Sequence, residues 1–282
     1  MSARRRAAVV RRYLRTGQHD HQALHWEGLS LQPRLIAKED LQVALLGAVR
    51  QRAAAVSIPS LSLPEDVYGF ARAKVEPMVR GLFPAGEQEP VLDLLARSVV
   101  FVTPETVEDL LRRQRWPHTA WALANLYLDS IGAELLGPRA PHILGVGEET
   151  TSYVSLRYFS DPEFLADYVL HEAAHLFHNC KRRTAGLPET RGCEWLLPIE
   201  FRMRETFALA CEFYASITAA AATRAGRREL LARLEQERPR NDAGDGGAYL
   251  DILGYAIEGR NGWKRILDRC RDRSRERAAA MR

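Results

Sequence analysis

Apolar residues recur every three or four positions along nearly the whole chain, and one segment, residues 151–159 (TSYVSLRYF), departs from that rhythm. Such spacing stacks apolar side chains on one helix face, whereas a β-branched and aromatic run without it reads as a strand. The pattern predicts an α+β chain, mostly α, with one small sheet in its middle. Residues 38–56 place Leu41, Ala44, Leu45, Ala48 and Val49 on one face. Further helices are expected over 64–79, 89–100, 104–115 and 117–136. Thr103 reads as an N-cap before Pro104, and Gly137-Pro138 as a stop. After the strand, Ser160-Asp161-Pro162-Glu163 reads as the start of a helix reaching to about residue 179. A loop of about 25 residues with Gly186, Pro188, Gly192 and Pro198 follows. Helices are then expected over 204–222 and 227–238 and, after the flexible 241–247 (NDAGDGG), in two stretches near the C-terminus. The chain reads as a helical N-terminal region, 1–116, whose role composition leaves open, followed by 117–282.

With 282 residues, 46% hydrophobic and 27% charged, the chain has room for one large domain or two small ones. The same composition excludes a wholly disordered, collagen-like or disulfide-scaffold protein. No stretch reaches the length of a membrane-spanning apolar run; the longest candidate, 207–222, is interrupted by Glu212. Only residues 7–10 separate Arg6 from Arg11, too few for the apolar part of a secretory signal. The expectation is a cytoplasmic protein with no membrane contact. Net charge is +4, but residues 1–17 hold six arginines and no acid, and 260–282 hold nine basic and three acidic side chains. These arginine-rich ends offer a route to nucleic acid or another polyanion. No helix-turn-helix, finger or RNA-recognition motif accompanies them, so solvated charge runs are the favoured reading. Cys180, Cys193, Cys211 and Cys270 form no C-x-x-C pair and read as free thiols.

The chemistry concentrates in His171-Glu172-Ala173-Ala174-His175, set within YVLHEAAHLFHN. Residues four apart share a helix face, so both imidazoles can reach one ion, and Glu172 stands beside it, where it can take a proton from a water. Small residues between the histidines and apolar ones on both sides suit a buried helix. The strand upstream offers a sheet edge that an extended peptide could join by strand addition.

This motif, over residues 151–216, resembles the zincin superfamily of zinc metallopeptidases. The resemblance implies a Zn2+ cofactor, His171 and His175 as ligands, Glu172 as general base, a third ligand downstream and a peptide or protein as substrate. The metzincin pattern needs a histidine where Lys181 stands. The gluzincin-like pattern takes a glutamate from a later helix, with Glu194, Glu200, Glu205 and Glu212 as candidates. Glu205 is assigned as ligand and Glu212, seven residues on from the same face, as the partner orienting a ligand histidine. Glu194, 19 residues after His175, is the main rival, and Leu209 stands where a thermolysin-like chain has an acid. His178 could line the cleft and stabilise an oxyanion; a satisfied helix-end histidine near the dipole is favoured. Tyr153, Tyr158, Tyr214 and Tyr255 are conceivable transition-state donors. His19, His21 and His25 read as a solvated loop. The function expected is zinc-dependent peptide hydrolysis. The alternatives are a regulatory, polyanion-binding protein with a structural metal and a zinc hydrolase acting on another amide or ester.

Overall fold

The computed structural model describes residues 3–18, 32–58, 63–160, 164–189, 193–237 and 247–271. The described residues are mostly helical, with one three-stranded sheet. Two compact units divide the chain. One comprises Met1–Ser62, Phe101–Val146 and Ser155–Ser160, the other Leu63–Val100, Gly147–Val154 and Asp161–Arg282.

The first unit packs α2 (Gln32–Ala53) against α1 (Ala3–Thr16), α5 (Val107–Arg113) and α6 (Pro117–Ser130). The arginine-rich start is thus a helix. Arg4, Arg6, Arg11, Arg12 and Arg15 stay exposed while Tyr13 is buried and donates its hydroxyl to the Pro117 carbonyl at 2.7 Å. Trp121 Nε1 donates to the Leu14 carbonyl at 2.8 Å, tying α6 to the same helix. Two helix limits differ from the sequence reading. α6 stops at Ser130 because Gly132 takes a φ of 69° and its N–H turns back to the Asp129 carbonyl, well before Gly137-Pro138. Thr103 does not cap α5 directly. Its hydroxyl meets that of Thr106 at 3.2 Å in a turn, and the helix begins at Val107.

The second unit is built around α8 (Arg204–Ala220), which packs on α3 (Val67–Leu82), α7 (Tyr168–Asn179), α9 (Arg224–Glu237), α10 (Ala248–Ile257) and α11 (Gly262–Cys270). α4 (Ala85–Ser98) lies against α3 and α7. Phe177, Phe207 and Phe213 are fully buried at its centre, and Phe83 meets Phe177 with ring centroids 5.3 Å apart. Burial of each such ring contributes about 2–3 kcal/mol, which outweighs the modest helix propensity of the aromatic residues. The helix expected from Asp161 starts later. Residues 161–163 lie outside the described residues, Leu165 takes a left-handed φ of 59°, and α7 begins at Tyr168 under an Asp167 N-cap.

The strands β1 (Val99–Val102), β2 (Gly145–Gly147) and β3 (Ser152–Ser155) pair in the order β1-β3-β2. β1 was expected as the end of a helix over 89–100; its VVFV sequence favours the pleated chain once Ser98 ends α4. Of the run 151–159, only four residues form β3, and Leu156–Phe159 coil into a 3-10 turn. β3 is the middle strand and all its residues are buried. It therefore cannot receive a peptide by strand addition, as expected above, because both of its hydrogen-bonding edges are already paired. Among the described residues the outer strands of the sheet are β1 and β2.

Glycines mark the closest helix contacts of the second unit. A Cβ at Gly81 would fall 2.0 Å from Cδ1 of the buried Trp263, and one at Gly262 would fall 2.3 Å from the Tyr214 hydroxyl. Gly81→Ala should therefore cost about 1–3 kcal/mol in urea unfolding. Gly47→Ala, exposed in α2 with nothing within 4 Å, should stabilise by about 0.5–1 kcal/mol. A neutral Gly81→Ala would contradict the close α3–α11 packing.

Candidate metal centre

The site grows from two antiparallel helices. At the start of α7, Asp167 accepts from the Leu170 N–H through Oδ1 at 3.3 Å and pairs through Oδ2 with Lys74 at 2.6 Å. Its own N–H donates to Oε1 of Glu212 at 2.8 Å, and Oε2 of the same carboxylate meets Nδ1 of His171 at 2.9 Å. Glu212 lies in mid-α8. Glu205, seven residues earlier and therefore about 10.5 Å back along the axis, faces the later part of α7. Its Oε1 lies 3.4 Å from His171 Nε2 and its Oε2 3.4 Å from His175 Nε2.

The two Nε2 atoms are 3.1 Å apart. A tetrahedral zinc with bonds of about 2.0–2.1 Å sets its ligand atoms about 3.4 Å from one another, so the spacing of these three side chains fits such an ion. Among the described residues, His171, His175 and Glu205 are the one set of three histidine, cysteine or acidic side chains whose ligand atoms gather this closely, all within 4.8 Å. Glu194 and Glu200 are exposed and stand outside the group. The Glu194 carbonyl accepts from the Arg182 N–H, and the Glu200 N–H donates to the Cys270 carbonyl.

Each histidine has a partner at its other nitrogen. The Glu212 carboxylate favours a proton on His171 Nδ1, so that when the ring is neutral its Nε2 is the nitrogen left for a metal. His175 turns Nδ1 toward Nε2 of His178 at 3.3 Å. His178 is 3% exposed, and its own Nδ1 is buried without a partner. It is therefore not the satisfied helix-end histidine that the sequence favoured. Burial, with the charges of His175 and Arg204, pushes its pKa down to about 3, so it stays neutral and cannot answer the helix dipole as a cation.

Glu172, between the two histidines on α7, is buried and its carboxylate lies close enough to His171 and His175 to feel their charge. A Cβ on Gly147, at the end of β2, would fall 2.9 Å from Glu172 Oε2 and 3.8 Å from His175 Cβ, so a side chain there would push this carboxylate aside. Burial raises its pKa against the opposing pull of His171 and His175, which makes it a better proton acceptor than an exposed glutamate. Of the four tyrosines, Tyr214 packs edge-on to Trp263, Tyr158 meets Phe159, and Tyr255 lies exposed under Arg265 and Arg269. Tyr153 is buried in β3. His19, His21 and His25 lie outside the described residues. Sequence reasoning missed Lys74, Asp167 and Gly147. Asp167, just ahead of YVLHEAAH, was the one with a readable signal, as an N-cap. No protein-family model, curated protein or solved structure matches the chain.

Without metal the group is a proton trap. Burial disfavours a charged His171, but hydrogen bonds to Glu205 and Glu212 outweigh it and push the pKa up to about 10. Hydrogen bonds to His171 and His175 hold Glu205 well below the usual carboxylate range. Protonation of His171 thus stabilises the metal-free fold fully below about pH 6.5, and this contribution fades as pH rises through about 10. Zinc takes the neutral ring, so its binding at pH 7 should expel about one proton, read by calorimetry in buffers of different ionisation enthalpy. The release should vanish above about pH 10, and no release at pH 7 would contradict His171 as ligand. Glu212→Gln sets an amide NH2 or a mismatched oxygen against His171 and should weaken zinc binding about 10–100-fold in chelator competition.

Proposed function

We propose that this protein is a zinc-dependent hydrolase of the zincin type whose substrate is a peptide. The observation that carries the reading is the convergence of His171 Nε2, His175 Nε2 and a Glu205 oxygen at mutual distances of 3.1 to 3.4 Å. Structural zinc sites close the ion in four protein ligands, whereas catalytic sites offer three and leave a position open. Here three side chains gather, and the Glu205 side chain is 56% exposed, which supports the open, catalytic kind. That openness also weighs against a regulatory protein with a purely structural metal.

Zinc held there supplies Lewis acidity, polarising a carbonyl and acidifying a water. The chain's own groups do the rest. Glu212 and His178 hold the two imidazoles in orientation by their outer nitrogens. Glu172, on α7 between the ligands, accepts the proton of the attacking water and passes it to the leaving amine. Its burial keeps bulk water from competing for that proton.

Glu172→Gln tests the assignment. It should retain zinc and fold while hydrolysis of a mixed peptide library falls by about 10²–10⁴. Cleavage at the wild-type rate would overturn Glu172 as base. Turnover confined to simple amides or esters would keep the chemistry and change the substrate class.

A further inference from the structure

Arg204 opens α8, next in the chain to Glu205. Its guanidinium lies 5.2 Å from the ring centroid of Phe201, a side chain 78% exposed. Among the described residues no carboxylate pairs with it and no acceptor takes a hydrogen bond from its side chain. Many arginines on this surface stand alone, Arg202 for one, and water solvates them. Arg204 differs, because it is half-buried and its Nε is shut off from solvent without a partner. That Nε is out of reach of a ligand as well as of water, so an anion would meet the outer Nη edge of this permanent cation, from which, among the described residues, no protein acceptor takes a hydrogen bond.

Three further observations place that edge beside the metal group. Arg204 precedes Glu205 in the first turn of α8, and Glu205 meets His175, which in turn faces His178. His178 Nδ1 is itself a buried nitrogen without a partner, on a ring whose Nε2 is turned to His175. Met203, just ahead of α8, gives no side-chain cap, so the first-turn N–H groups of the helix add positive potential at the same end. Glu205 does not neutralise Arg204, because its two oxygens face His171 and His175. A guanidinium whose face rests on an aromatic ring keeps its edge for a bidentate carboxylate.

We propose that Arg204 is the specificity determinant of this site, receiving a carboxylate of the substrate. The site then selects anionic substrates, whose charge comes from a C-terminal carboxylate or from an acidic side chain near the bond cut. The setting rests on the hydrolase reading; the carboxylate contact itself needs no metal.

Two pairs of fluorescent N-acyl dipeptides separate the sources: a free acid against its C-terminal amide, and an amide with Glu against the same amide with Gln. Their binding is measured by anisotropy on zinc-free and zinc-loaded protein. One carboxylate probe should bind about tenfold or more tightly than its neutral twin in both states. The pair that shows the preference names the source. Arg204→Met should abolish it with zinc content unchanged, and Arg204→Lys should restore it in part. Equal binding within both pairs, no binding of either carboxylate probe, or a preference that survives Arg204→Met overturns the proposal. Wild-type protein that takes up no zinc yet keeps the preference would sink the hydrolase reading alone.

Discussion

Both oxygens of one buried carboxylate fix the register of the two helices that matter most. Glu212, 2% exposed, takes the N–H of Asp167 at the start of α7 on one oxygen and His171 on the other. A carboxylate so far from water is tolerated only when its lone pairs are used, and here a backbone donor and an imidazole use them. The constraint acts in two directions. It closes the first turn of α7, and it sets how far α8 slides along it. Glu205, two turns from Glu212 on the same face, then has no choice but to arrive opposite His171 and His175. Breaking the pair would leave a buried charge, so the register is defended by an energy far above that of the exposed ion pairs elsewhere.

The metal-free site shows what such an arrangement costs and how it is offset. Three carboxylates, Glu172, Glu205 and Glu212, surround two histidines in a partly buried place. The molecule answers by holding a proton on His171 and by keeping Glu205 ionised between the rings. A divalent cation held there would replace that proton with a stronger counter-charge at the same point, since the three side chains already stand at ligand spacing. Glu172 lies against Gly147, with its basicity raised by burial. One cluster thus contains groups pushed toward opposite protonation states, the condition for dividing the roles of ligand and base between chemically identical side chains.

The sequence made this pair of helices legible because both signals are local and periodic. The i, i+4 histidines lie on one face of α7, and the seven-residue interval from Glu205 to Glu212 lies on one face of α8. What it hid depends on partners distant in the chain. Val99 and Val100 read as a helix end because the choice of strand for VVFV is made by pairing with β3. Residues 151–159 looked like an exposed edge because periodicity carries no information on strand order. Asp161-Pro162 looked like a helix start, yet the capping residue that α7 uses is Asp167, locked by Lys74 from α3 and Glu212 from α8. The burial of His178 and the unanswered charge of Arg204 arise only when α7 and α8 meet. No spacing rule encodes them.

The most direct measurement is the zinc content of untagged protein, purified without chelator, for wild type, Glu205→Ala and Glu194→Ala. Wild type and Glu194→Ala should each carry about one zinc per chain, and Glu205→Ala should carry little, because three ligands hold an ion far better than two. Wild type that takes up no zinc even after incubation with it, or a loss confined to Glu194→Ala, would contradict the site built from α7 and α8.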